Sequence, residues 1–135
     1  MKKLFTDTSG WMAIADGGDP LHSSSIRARN QWLKDEGILV TTDYVIDETL
    51  TLIRIRLGLF AAKKWWEQVC NSPRLRVEWI DWKRAEKARR WFFGWEDQSF
   101  SFTDCTSFVV MNQLHVRKAL TGDRHFAAAG FEMLP

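Results

Sequence analysis

No apolar run in this 135-residue chain approaches the roughly 20 residues that span a bilayer, so a membrane protein is not expected. The N-terminal MKKLFTDTSG has two lysines but neither a long apolar core nor a small-residue cleavage site, so it does not read as a secretory signal. Both absences predict a cytoplasmic protein. The two cysteines, Cys70 and Cys105, form no CxxC pair and have no histidines at zinc spacing. A structural zinc site is therefore not expected, and Cys105 reads as a small apolar group. There is no internal repeat, low-complexity tract or linker, so residues 1–135 read as one domain.

What the chain has in excess is tryptophan, eight in all. Not all of them fit fully inside one small core, so some are expected at an interface or against a ligand. Trp65 and Trp66 are adjacent on one predicted helix, where both cannot face the same core. A homodimer is the expectation that follows.

Short β-rich runs alternate with helical patterns. Strands are predicted at Lys3–Thr6, Ile38–Thr41, Leu75–Ile80, Lys118–Thr121 and Phe131–Leu134. Helices are predicted at Gly10–Ala15, Leu21–Glu36, Tyr44–Leu57, Leu59–Cys70, Lys83–Phe93 and Thr103–His115. This alternation implies βαβ units and a mostly parallel sheet. Ligands of such sheets lie beyond the carboxyl ends of the strands, where Asp7 and Asp123 fall.

Four carboxylates stand out. Asp7, Asp104 and Asp123 each have an ordinary explanation: a helix cap, a first-turn acid and a Gly-Asp turn. Glu48 does not, because it interrupts the helical row Val45, Glu48, Leu52, Ile55, whereas its neighbour Asp47 lies on a solvated row. A carboxylate facing a core needs a partner or a metal. Oxygen ligands without Cys or His pairs select Mg2+ or Mn2+. Such a site activates water for in-line attack on a phosphodiester. The net charge of +2 fits the same reading. Setting these four acids aside leaves 19 positive and 13 negative charges, or +6, an acidic pocket in a basic surface.

The segments LFTDTSGW, IDETLTLI, SFTDCTSF and ALTGDRHF, with GFEMLP closing the chain, resemble the PIN-domain family over the whole length, in particular VapC-type toxins of toxin–antitoxin pairs. The resemblance implies a three-layer α/β/α sandwich, dimerisation, Mg2+-dependent endoribonuclease activity on RNA and inhibition by a cognate antitoxin protein. It assigns catalysis to Asp7, Glu48, Asp104 and Asp123, with Asp7, Asp104 and Asp123 as the metal ligands. Ser9 and Thr121 match accessory polar positions.

Other residues have plainer readings. His125 reads as a partly exposed structural histidine, Glu96 and Asp97 as a solvated loop, and Lys83, Arg84, Lys87, Arg89 and Arg90 as a solvated helix face that could also track phosphates. Two alternatives remain beside the nuclease. One is a catalytically idle PIN-like scaffold that binds RNA or protein. The other is a phosphoacceptor domain using Asp81, which lacks the acidic pair after the first strand and the lysine after Lys118–Thr121.

Overall fold

The structure, a computed structural model, describes residues 2–135. Five strands form one sheet: β1 (Lys3–Thr6), β2 (Ile38–Thr42), β3 (Leu75–Glu78), β4 (Lys118–Leu120) and β5 (Glu132–Leu134). The helices are α1 (Thr8–Ala15), α2 (His22–Lys34), α3 (Asp43–Leu57), α4 (Leu59–Asn71), α5 (Trp82–Gly94), α6 (Phe102–Gln113) and α7 (His125–Ala128). The strand order is β3-β2-β1-β4-β5, and every pairing is parallel. Helices flank this sheet in the expected α/β/α sandwich.

The central strands are buried on both faces, as parallel strands must be. Leu4 and Phe5 point to opposite faces, and both are fully buried. Phe5 packs on Phe126, which meets Phe108 of α6 edge-to-face at 5.0 Å. Elsewhere, Leu39 and Leu75 of the sheet line a groove with Trp11, Ile53 and Trp65 from α1, α3 and α4.

Side-chain caps start four of the helices. Asp7 accepts from Gly10 N–H at 2.8 Å, Thr42 from Val45 N–H at 3.1 Å and Asp81 from Arg84 N–H at 2.9 Å. Ser101 and Asp104 close a reciprocal capping box at the start of α6. Asp81 is thus an exposed helix cap at the start of α5, with its carboxylate engaged by the Arg84 N–H.

The differences from expectation are element ends and one short helix. The predicted strand through Ile80 stops at Glu78, and Ile80 N–H bonds the Asp43 carboxylate instead of a neighbouring strand. The helix predicted to His115 stops at Gln113, and His115 takes a positive φ of 56°. The four-residue α7 is too short to leave a periodic signal and was not expected.

The topology positions the site. β1 has β2 on one side and β4 on the other, so the chain order reverses at β1, which opens a crevice at the strands' carboxyl ends. α1 leaves β1 directly beside the end of β4. A Cβ at Gly10 would overlap the Leu120 carbonyl, so only glycine allows this approach.

Candidate active site

Asp7, Glu48, Asp104 and Asp123 line one cleft of about 230 Å³. They arrive from the junction of β1 and α1, from α3, from α6 and from the turn after β4, four separate parts of the chain.

Asp7 is 5% exposed and held on every side. Its Oδ1 accepts from Ser9 Oγ at 2.9 Å and from Gly10 N–H, and its Oδ2 accepts from Thr121 Oγ1 at 2.8 Å. Thr121 Oγ1 also accepts from Asp123 N–H at 2.9 Å, and Ser9 Oγ accepts from Gly122 N–H at 2.9 Å. Ser9 and Thr121, both expected as accessory residues, thereby tie the end of β1 to the turn that carries Asp123. Burial pushes the Asp7 carboxyl up to about 7 against these stabilising hydrogen bonds, and the charge of Asp123 pushes the same way.

Asp104 and Asp123 share a histidine. His125 Nδ1 lies 3.2 Å from Asp104 Oδ2 and 3.3 Å from Asp123 Oδ1. A proton on Nδ1 can be shared by both carboxylates. His125 N–H also donates to Asp123 Oδ1 at 2.9 Å, and Phe100 meets the ring edge-on at 5.3 Å. Burial raises the Asp104 pKa, and the Asp123 charge adds to the effect. The Ser101 N–H and His125 oppose it. Among the described residues, Asp104 Oδ1 and Asp123 Oδ2 have no protein partner. These are the oxygens free to take a cation.

Glu48 faces the cleft without an ion pair or side-chain hydrogen bond among the described residues, while Asp47 is exposed. Asp47 lines an adjoining cleft, which it shares with Glu48. The row that carries Glu48 begins at the fully buried Val45 and runs out to solvent at Ile55, which is 73% exposed.

The donor chemistry fits a hard divalent cation. Ligand atoms of Asp104, Asp123 and His125 all lie within 4.8 Å of one another, and Asp7 is outside that tight group. Three ionisable residues lie at the site that the sequence did not point to. His125 is one, and its only signal was its position two residues after Asp123. Asp19 and Arg56 also line the cleft. Asp19 lies in the loop between α1 and α2, and Arg56 stands two helical turns beyond Glu48. Cys105, next to Asp104, is excluded as a nucleophile. Burial, with the Asp104 charge adding, pushes its thiol up to about 12.

Comparison with known proteins gives a consistent picture. The model of the PIN domain family matches residues 4–132. The 23S rRNA-specific endonuclease VapC20 of Mycobacterium tuberculosis is 34% identical over 128 residues, 95% of this chain and 95% of that protein, in two strains. The crystal structure of Mycobacterium tuberculosis VapC20, described as a sarcin–ricin loop cleaving toxin, superposes with a TM-score of 0.87 at 33% identity, covering 98% of this chain and 99% of that one. FitAcB from Neisseria gonorrhoeae shares the fold, with a TM-score of 0.66 at 15% identity over 98% of this chain and 96% of that one.

Proposed function

The chain belongs to the PIN-domain family, and we propose that it is a divalent-metal-dependent endoribonuclease, the toxin of a toxin–antitoxin pair, that cuts a hairpin of 23S ribosomal RNA. The observation that carries this reading is the convergence of Asp7, Glu48, Asp104 and Asp123 in one cleft. The rRNA substrate rests on the 34% identity to an endonuclease of that specificity. The complete acid set, with oxygens left free for a cation, supports an enzyme over an idle scaffold.

Mg2+ is the expected ion and Mn2+ a competent substitute, because the donors are hard oxygens. A bound cation supplies charge neutralisation at the phosphate and a water of lowered pKa. Asp104 and Asp123 would hold it, and His125, whose Nδ1 lies between their carboxylates, keeps the two at a fixed separation. Asp7 has both oxygens engaged by protein donors, so it would act on the cation through water or through the field it adds. Glu48, without a protein partner, accepts the proton of the attacking water.

A cognate antitoxin protein and a second copy of the chain complete the reading. Trp65 is buried against Trp11, while Trp66 is 47% exposed. Trp79, Trp82 and Phe93 are each about 70% exposed or more. Aromatic rings left in water at this density support a protein interface. No described helix is long and apolar enough to cross a membrane, and a ribosomal substrate would be met in the cytoplasm.

The test is cleavage of a sarcin–ricin hairpin RNA with Mg2+ and with EDTA, for wild type and Asp104→Asn. Cleavage that needs both the metal and Asp104 supports the proposal, and cleavage that survives EDTA or the substitution overturns it.

A further inference from the structure

One row of α3 crosses the whole site. Tyr44, Glu48, Leu52 and Arg56 recur every four residues, so successive members are neighbours and the row winds about 120° around the helix from end to end. The row is about 18 Å long at the α-helical rise. Glu48 and Leu52, with Thr103, line both the catalytic cleft and a second, adjoining cleft. The two are therefore continuous, with Arg56 in the first and Tyr44 in the second.

The two ends of the row differ in chemistry. Arg56 is the one basic side chain among the residues that line the catalytic cleft, and it forms no ion pair among the described residues. Its guanidinium is free for a ligand anion, and its planar fork suits a phosphate. Tyr44 lies in a cleft that also holds Asp43 and Asp47. Carboxylates there repel phosphate, so an uncharged flat group is what this end accepts. The Tyr44 ring is backed by Phe102 at 6.3 Å, which is backed in turn by Phe92 at 5.8 Å. Such backing holds a ring in place for stacking.

We infer that single-stranded RNA runs along α3, with a base stacked on Tyr44 and a phosphate held by Arg56 on either side of the acidic cluster. The inference rests on the ribonuclease reading and adds a direction and two contacts to it. Glu48 and the scissile phosphate fall between the two contacts. The substrate segment must be unpaired, because a base inside a duplex cannot present its face to Tyr44.

The test measures anisotropy of a fluorescein-labelled sarcin–ricin hairpin RNA in Mg2+, across a salt series. All proteins carry Asp104→Asn to stop cleavage. Arg56→Gln should weaken binding and reduce the slope of log affinity against log salt by about 0.7, one phosphate contact on a single strand. Arg56→Lys should keep the slope. Tyr44→Leu preserves bulk against Phe102 but offers no ring. It should weaken binding roughly tenfold with the slope unchanged, and Tyr44→Phe should bind like the parent. Mn2+ affinity, measured by calorimetry without RNA and without Asp104→Asn, should not fall in any of the four. Parental RNA binding by Arg56→Gln or Tyr44→Leu overturns the inference. So does an unchanged salt slope in Arg56→Gln, or a loss of Mn2+ affinity that matches the loss of RNA affinity. Cleavage of the same hairpin by wild type but not by Asp104→Asn separates the two readings. If that contrast holds while the α3 variants bind normally, only the path along α3 is wrong.

Discussion

Asp7→Asn should stabilise the metal-free protein at alkaline pH and not at acid pH. Asp7 is 5% exposed and its pKa is raised from 3.8 to about 7. The folded protein therefore holds this proton to higher pH than the unfolded chain does. Stability from this group is greatest at low pH, falls as pH rises from about 4 to about 7, and is flat above that. A tenfold difference in proton affinity between the folded and unfolded chain is worth about 1.4 kcal/mol, so the wild type should lose roughly 3 kcal/mol through Asp7 between about pH 5 and about pH 8. An asparagine carries no such charge. It still offers Oδ1 to Gly10 N–H, but its amide must be accepted by a hydroxyl that now donates to Asp7, which costs on the order of 1 kcal/mol at every pH.

The melting temperature of Asp7→Asn relative to wild type should thus climb by roughly 10 °C between about pH 5 and about pH 8, at a few degrees per kcal/mol for a chain of this size. The assay is differential scanning fluorimetry in EDTA, with wild type and variant compared at each pH so that other titrating groups cancel. With saturating Mg2+ the wild type should recover stability at high pH, because cation binding is linked to the ionised carboxylates, and the variant should recover less. If Asp7→Asn lowers the melting temperature equally at both pH values, Asp7 is an ionised structural cap. The reasoning from burial would then be refuted.

Glu48→Gln should cut RNA cleavage by roughly a hundredfold or more while leaving the metal-free melting temperature level or higher, since it removes charge from a like-charged cleft. Asp47→Asn, one residue away but exposed, should change cleavage little and stability by about 0.5 kcal/mol or less, as urea unfolding would show. Expression without an antitoxin should slow growth, and Asp104→Asn should relieve it; equal inhibition by both would detach toxicity from metal-dependent cleavage. Light scattering at micromolar concentration should give twice the 15.8 kDa chain mass, and a monomer would leave the exposed tryptophans unexplained.

Much of this protein was legible from chain-local rules. The alternation of β-rich runs with capped amphipathic helices specified the α/β class, because strand and helix periodicities are properties of neighbouring residues. Glu48 was legible for the same reason: an acid in an apolar row is anomalous whatever the tertiary structure, and its contrast with Asp47 follows from helical geometry alone. Asp7, Asp104 and Asp123 were separately unremarkable as caps and turns, and they do act as such: Asp7 caps α1 and Asp104 closes the box of α6. They became a candidate site by resemblance to a family.

The rest depended on packing between distant segments. The sheet order sets β1 beside β4, which buries Asp7 among Ser9, Gly10 and Thr121 and raises its pKa. No residue near Asp7 in the chain announces that burial. His125 bridges Asp104 and Asp123 only because the start of α6 meets the turn after β4. Arg56 enters the acidic cleft because α3 lies along it, although helical spacing alone keeps that arginine out of direct reach of Glu48. The tryptophans divided on the same principle: composition showed that some must face outward, but which ones follows from the contacts of each helix face. Local sequence sets torsions and periodicities, whereas desolvation and charge pairing depend on through-space distances that only the assembled sheet and helices define.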